Sequence, residues 1–363
     1  MRSASNRGLA LCSTCCERGL LLLRKVRVFV RFSTGGAMNG REKALQALSL
    51  VAIMVLTAVV FDLLSEPDQD QEIVYVLVDN RMMFDENSTV IGLDRSEVAR
   101  IASFNIKVFG DTKMSNATVV AELVDLFQAY DMVAVQEIKD IDEEVPYLFL
   151  DELNGVAGQD NVTNQTLNWS MVLSERSGQQ EDDKNSQEQY AYYYRPTVFR
   201  SLDNGTLYDD STNDSFQREP FMASFMLLDP SGADTGTDLV IVNVHTKPTL
   251  AVEEMSALGD VHLWGQANYS DDDDYVILGD FNGDCSYASY NELIELSIAS
   301  ENYTWLIPDD ADTTVGDSRC AYDRIVTTSQ LDGRLTGTWG IDERISSGAV
   351  SDHKPVWFDL QRT

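Results

Sequence analysis

The sequence predicts an α/β or α+β domain over residues 98–362. Three observations carry that expectation. From residue 98 onward, short β-branched runs alternate with segments of helical periodicity. Of the 363 residues, 44% are hydrophobic, which places the chain among globular proteins and allows one large core. No repeat or low-complexity block interrupts the pattern, apart from the acidic "SDDDDY" at 270–275.

The elements follow in order. "RIASFNIKVFG" opens the domain as a strand. "NATVVAELVDLFQAY" (116–130) places its apolar residues at helical spacing, and "DMVAVQEI" (131–138) is a β-branched run. "YAYYYRP" (190–196), "FMASFMLL" (221–228) and "DLVIVNVHTKP" (238–248) read as strands. A helical "AVEEMSALGDVHLWGQA" comes next, then the strand "DYVILGDFN" and a helix near "SYNELIELSIAS". "YDRIVTT" and "SDHKPVWFDL" close the chain as strands.

Ahead of this domain lie a basic segment (1–43), an apolar stretch (44–64) and an acidic, turn-rich stem (65–97). Residues 44–61 hold no charge, close to the roughly 20 apolar residues that cross a bilayer. Arg41 and Lys43 precede the stretch, favouring a translocated C-terminal body. A signal-anchor and a long signal peptide are both compatible with it. Translation from Met38 leaves an ordinary "MNGREK" leader, whereas from Met1 the Arg-rich first 37 residues also resemble a transit peptide. Nine N-x-Ser/Thr sequons, at Asn87, Asn116, Asn161, Asn164, Asn168, Asn204, Asn213, Asn268 and Asn302, favour the secretory route. That route gives a secreted or lumenal protein, or a type II membrane-anchored ectodomain.

Cysteine use agrees. Cys12, Cys15 and Cys16 precede the apolar stretch, as lipidation sites or ordinary thiols. Cys285 and Cys320 are the two in the body, and a single pair in an oxidising compartment reads as one disulfide.

The formal net charge is −32. Residues 1–43 hold nine of the 27 basic residues and two of the 59 acidic ones, leaving 18 and 57, a balance of −39. Such a body repels polyanions at long range and suits loading of divalent cations, which prefer oxygen ligands.

Several strand-like segments begin or end on polar groups: Asn105, Glu137, His245, Asp280 with Asn282, Asp323, and Asp352 with His353. Each alone reads as a cap or turn. Yet two of the three histidines occupy such ends, while His262 lies in a helical stretch and reads as structural. Two histidines with carboxylate partners can divide acid and base work between them.

This combination resembles the endonuclease/exonuclease/phosphatase superfamily, and within it the deoxyribonuclease I family. The resemblance rests on "IASFNIKVFG", "DTKMSNAT", "VQEIKD", "DSFQREP", "GDFNGDCSY", "WLIPDDADTT", "CAYDRIV" and "SDHKP", spread over residues 100–358. It implies a four-layer sandwich of two packed β-sheets flanked by helices. It implies a divalent-metal-dependent endonuclease, monomeric, that cuts DNA, double-stranded by preference, to 5′-phosphate products. By resemblance His245 pairs with Glu188 and protonates the leaving oxygen. His353 pairs with Asp323 and activates water or stabilises the transition state. Glu137 holds Mg²⁺ or Mn²⁺, with Asn105, Asp280 and Asp352 near the metal or phosphate. Asn282 and Arg218 bind phosphate oxygens, and Lys139 and Asn185 belong to the DNA-binding set. Structural Ca²⁺ is implied at two loops: Asp210, Asp214 and Glu219 with the Phe216 carbonyl, and Asp312 with Thr314. The resemblance also implies the Cys285–Cys320 disulfide.

Three departures from the family stand out. "DDSTND" lacks the small second disulfide of the first Ca²⁺ loop. Lys139 stands where members carry Arg, losing the forked donor. "NSQEQY" offers Ser186 or Gln187 where members carry Tyr, so a stacking aromatic for the minor groove is missing. Actin binding is a property of some members, and the resemblance leaves it open for this chain. A phosphodiesterase acting on lipid or small phosphate esters is the alternative enzyme reading, and a binding protein on a retired nuclease fold is the non-enzyme one.

Overall fold

The computed structural model describes residues 74–78, 81–85, 95–156, 168–179, 186–269, 272–345 and 347–363. The chain divides into units 1–69 and 70–363, and all described residues lie in the second. The basic segment and the apolar 44–64 therefore fall outside the described residues. Among those residues no helix is long and apolar enough to cross a membrane.

The strands, in chain order, are β1 (Val74–Val78), β2 (Arg81–Asp85), β3 (Val98–Phe109), β4 (Met132–Ile138) and β5 (Ser170–Leu173). They continue with β6 (Gln189–Tyr194), β7 (Phe199–Ser201), β8 (Thr206–Leu207), β9 (Phe221–Leu228) and β10 (Asp234–His245). The last are β11 (Tyr275–Asp280), β12 (Tyr303–Trp305), β13 (Asp323–Thr328), β14 (Leu335–Ile341) and β15 (Val356–Gln361). The helices are α1 (Asp111–Met114), α2 (Ala117–Phe127), α3 (Val145–Gly155), α4 (Ala251–Ser256), α5 (Leu258–Asn268) and α6 (Tyr290–Leu293).

The strands form two sheets, in the orders β2-β1-β14-β15-β3-β4-β6-β5 and β12-β13-β11-β10-β9-β7, with β8 added on β9. Alternation along each strand explains why they stack. Successive side chains point to opposite faces. On β3, Ala99 and Ile101 join the apolar layer between the sheets, while Ala102, Phe104 and Ile106 face the helices outside. On β10, Leu239 and Ile241 face inward, while Val240, Val242 and Val244 pack against α4 and α5. Strands buried on both faces need continuous apolar runs, as "VAV" and "VIV" supply. The result is the expected α/β sandwich of helix, sheet, sheet and helix layers.

Local signals fix the helices. Asn116 caps α2 by accepting from the Thr118 and Val119 amides at 3.2 and 3.4 Å. Phe127 and Phe149 then meet edge to face at 5.0 Å, and both contact the Tyr193 ring, joining α2 and α3 to the first sheet. The helical stretch after β10 breaks at Ala257 into α4 and α5. "SYNELIELSIAS" forms the short α6 and a 3₁₀ turn at Ser297–Ala299 rather than one helix.

The segment expected to be a stem, 65–97, needs correction. Part of it forms the β1–β2 hairpin, and Val74 pairs with Thr338 of β14. The reason is in "VYVLV", whose β-branched residues suit a strand beside β14, a partner not foreseen from sequence.

Topology gathers one rim. β3 and β4 are parallel, as are β10 and β11, so four strand ends arrive at the same edge of the sandwich. Polar groups at strand ends are held by a rigid scaffold while remaining open to a ligand.

Candidate active site

At that rim His245 ends β10 and Asp280 ends β11 in direct register, and Asp323 begins β13 opposite Asp280. Three adjacent strands thus present an imidazole and two carboxylates in one row. Gly279 makes the row possible. Its φ is +144°, and a Cβ there would lie 1.9 Å from the Val244 carbonyl oxygen.

Both histidines are clamped. His245 Nδ1 lies 2.7 Å from Glu188 Oε1, and His353 Nδ1 lies 2.8 Å from Asp323 Oδ2. Each ring therefore turns Nε2 to the same place, and both Nε2 atoms stand 3.5 Å from Asp280 Oδ2. Burial opposes charge on the Asp280 carboxyl, but His353 and His245 outweigh it and hold its pKa below the usual range. Burial likewise opposes protonation of His353, yet the Asp323 and Asp280 carboxylates push its pKa up to about 10. Glu188 is held low by His245 and Arg218 in spite of complete burial.

The first sheet brings the other half. Asn105 Nδ2 bridges Glu137 Oε1 at 3.1 Å and Asp280 Oδ2 at 3.0 Å. β3 bulges just beyond, where Lys107 and Val108 take φ of 49° and 52°. The bulge aims the Val108 amide at Glu137 Oε2, 2.8 Å away, and the Lys107 amide at Asn105 Oδ1, also 2.8 Å away. Glu137 itself has φ of 62°, a left-handed conformation at the end of β4. Asn282 accepts this turn with φ of 47°, its amide donating to Asp280 Oδ1 and its side chain to the Thr246 carbonyl.

The structure brings together His245, His353, Glu188, Asp323, Asp280, Asn282, Asn105 and Glu137. Others stand differently from expectation. Arg218 is buried, with Nε and Nη2 donating to the carbonyls of His245 and Thr246, so two of its donors position the histidine strand. Lys139 Nζ lies 3.9 Å from Glu137 Oε2 and 4.0 Å from Glu188 Oε2, over the acidic centre. Ser186 is buried and accepts from Gln217 at 2.9 Å. Asn185 lies outside the described residues. His262 bonds Tyr303 at 2.6 Å from within α5, as befits a packing residue.

Carboxylate oxygens at the rim are the kind a divalent cation takes. Glu137 and Asp280 bring hard carboxylate oxygens to one place, which suits Mg²⁺-class ions, while Asn105 turns its Nδ2 donor toward both carboxylates and its oxygen toward the Lys107 amide. Asp280, Asp323 and His353 also bring ligand atoms within 4.8 Å of one another. Asp352 is already paired with Lys107 at 2.6 Å, so it would join a metal by exchanging that ammonium. At the loop expected to hold structural Ca²⁺, the Asp210 carboxyl is raised by burial and by the nearby Glu219 and Asp214 carboxylates, a concentration of negative charge that a cation relieves. At the second loop an ammonium already stands on the expected ligand residue: Lys354 Nζ lies 3.1 Å from Asp312 Oδ2.

Sequence reading passed over several members of the site. Gln136 donates to Asn243 at 2.6 Å, and Asn243 donates to the Val135 carbonyl, a buried amide pair that ties the two sheets beneath the rim. Their signal was available: each is the polar residue on the inward phase of an otherwise apolar strand. Ser351 donates to the Asn105 carbonyl and accepts from the His353 amide, locking the final loop to β3. Lys113 Nζ donates to the Ile106, Lys107 and Val350 carbonyls around the bulge.

The Endonuclease/Exonuclease/phosphatase family matches residues 102–353. Deoxyribonuclease-1 of Rattus norvegicus is 35% identical over 291 residues, covering 75% of this chain and 94% of the rat protein. The chain belongs to the deoxyribonuclease I family. Deoxyribonuclease-1 of Homo sapiens is also 35% identical, over 71% of this chain and 90% of the human protein. Among solved structures, humanized D. rerio TDP2 aligns with a TM-score of 0.49 and 13% identity, over 73% of this chain and 99% of the other. As a deoxyribonuclease I-like hydrolase, the chain has nuclease or phosphodiesterase chemistry. The Cys285–Cys320 disulfide of the family is formed, with Cα atoms 5.8 Å apart.

Proposed function

We propose that this deoxyribonuclease I family member is an endonuclease that hydrolyses DNA phosphodiester bonds, with a divalent metal, outside the cytosol. The observation that carries the reading is the convergence of His245 and His353 on Asp280, each ring fixed from behind by its own carboxylate.

The residues divide the work. His245, oriented by Glu188, donates its Nε2 proton to the departing 3′-oxygen as the P–O3′ bond breaks, while the attacking water forms the new P–O bond and gives up its proton to solvent. His353, kept protonated by Asp323 and Asp280, presents an N–H to a phosphoryl oxygen and stabilises the charge that grows there. This favours transition-state stabilisation over water activation for His353. Asn282 adds a neutral donor. Glu137 and Asp280 would hold Mg²⁺ or Mn²⁺, with Asn105 bridging their carboxylates and Asp352, paired with Lys107, nearby. Such an ion, when bound, neutralises phosphate charge and makes water more nucleophilic. Structural Ca²⁺ belongs at Asp210, Asp214 and Glu219 with the Phe216 carbonyl.

Location outside the cytosol is supported by the disulfide and by the sequons. All six described sequon asparagines, Asn116, Asn168, Asn204, Asn213, Asn268 and Asn302, are exposed. Residues 44–64 then act as leader or tether.

The test is nicking of supercoiled plasmid, run beside hydrolysis of sphingomyelin vesicles. Nicking with Mg²⁺, abolished by EDTA and lowered about a thousandfold in His245→Ala and His353→Ala, is the expected result. Sphingomyelin turnover with the plasmid untouched would move the assignment to lipid phosphodiesters. Near-normal nicking by both variants would refute it.

A further inference from the structure

The final active-site loop contains a cation of its own. Lys354 follows His353 directly and is buried. Its ammonium has three N–H donors and three acceptors around it: Asp312 Oδ2 at 3.1 Å, the Asp312 carbonyl at 3.3 Å and Glu343 Oε2 at 3.0 Å. The other Asp312 oxygen, Oδ1, receives the Thr314 hydroxyl at 3.1 Å and the Thr314 amide at 3.4 Å. The Thr314 hydroxyl also lies 2.6 Å from the Ser318 carbonyl. A carboxylate, a main-chain carbonyl and a second carboxylate are the oxygens a hard cation would take. Here a lysine has taken them.

The loop matters because both halves of one histidine pair hang from it. Thr313 Oγ1 accepts the Asp323 and Tyr322 amides at 3.2 and 3.1 Å. The Thr313 carbonyl accepts the Lys354 amide at 2.7 Å, and the Val315 amide reaches the Asp352 carbonyl at 2.8 Å. Thr314 pairs with His353 as an isolated bridge. The loop therefore spans from Asp323 to His353, and its negative pole, Asp312, is neutralised chiefly from the His353 side, the exposed Arg319 reaching Asp312 Oδ2 only at 3.9 Å. Glu343 is largely exposed, so the Asp312 contacts carry most of the weight.

We propose that the Lys354 ammonium is the built-in cation of the Asp312–Ser318 loop, replacing a calcium ion there and holding the His353–Asp323 pair in place without one. One Ca²⁺ loop, at Asp210, is left to respond to the ion. The proposal does not depend on which phosphodiester the enzyme cuts.

The experiment measures Ca²⁺ binding to the full chain by equilibrium dialysis, and thermal midpoint in EDTA, without an activity assay. Asp312→Asn should bind as many Ca²⁺ equivalents as wild type. Lys354→Met should melt lower than wild type in EDTA, take up one additional equivalent, and recover its midpoint when Ca²⁺ is added. An Asp312→Asn protein that binds one Ca²⁺ fewer than wild type overturns the proposal, as does a Lys354→Met protein that melts with wild type in EDTA. Should Lys354→Met fail to fold, the Asp312→Asn comparison decides alone.

Discussion

Asp280 carries more than one duty at the level of single residues. It sits between two imidazoles and also receives the Asn105 amide. Asp280→Asn keeps the shape and removes the charge. The nicking rate should fall by roughly three orders of magnitude, and the His353 titration followed by NMR should move down from about 10. A rate within tenfold of wild type would show that the carboxylate is dispensable. A second carboxyl makes a stability prediction. Burial and the neighbouring Asp238 and Asp274 raise the Asp272 pKa from 3.8 to about 7. A carboxyl raised on folding favours the folded state while protonated. Its contribution is therefore complete below pH 3.8 and is lost as pH climbs through 7. Asp272→Asn should melt higher than wild type at pH 8, with the gain vanishing near pH 4. Equal gains at both pH values would place the effect elsewhere than in ionisation.

Elements show what a one-dimensional reading reaches and where it stops. The strand "YVILG" and its polar end are both legible, and so is the capped helix at Asn116, because apolar periodicity and capping chemistry are local. "GDFN" is both a tight strand end and part of the rim where the candidate site residues gather. The reason for Gly279 is not local, because the atom that excludes a side chain belongs to Val244 on the adjacent strand. Gly279→Ala should cost roughly 4 kcal/mol or more, seen as insoluble expression or a collapsed melting transition. A variant that melts with wild type would mean that β10 and β11 stand further apart. β14 escaped notice since "LTGTWGI" holds two glycines, which weaken a strand pattern. α3 escaped because "VPYLFLDELNG" opens on a proline, which reads as a break although it is tolerated in a first turn. The pairing of Lys354 with Asp312 crosses 42 residues and no motif announces it.

Charge is the property of the whole molecule that most constrains how it meets DNA. With a formal −32, the surface repels a polyanion before any local contact forms. The cations at the rim, Lys107 and Lys139, are themselves engaged with site carboxylates. Encounter should therefore be helped by moderate salt. Initial nicking rates at fixed Mg²⁺ should rise from the lowest ionic strength, peak near about 0.1 M, where the screening length is about 10 Å, and then fall. A steep decline from the lowest salt onward, the signature of extensive release of phosphate counterions, would contradict this.

The amide bridge from Gln136 to Asn243 has a kinetic corollary. One leaf of the sandwich owns Asn105 and Glu137, and the opposite leaf owns His245, Asp280 and Asp323. Neither leaf is a weaker enzyme alone; each is a fragment with no chemistry. Turnover is thus an all-or-none gauge of whether the leaves are shut, and during unfolding it should vanish as soon as they part, even while secondary structure persists.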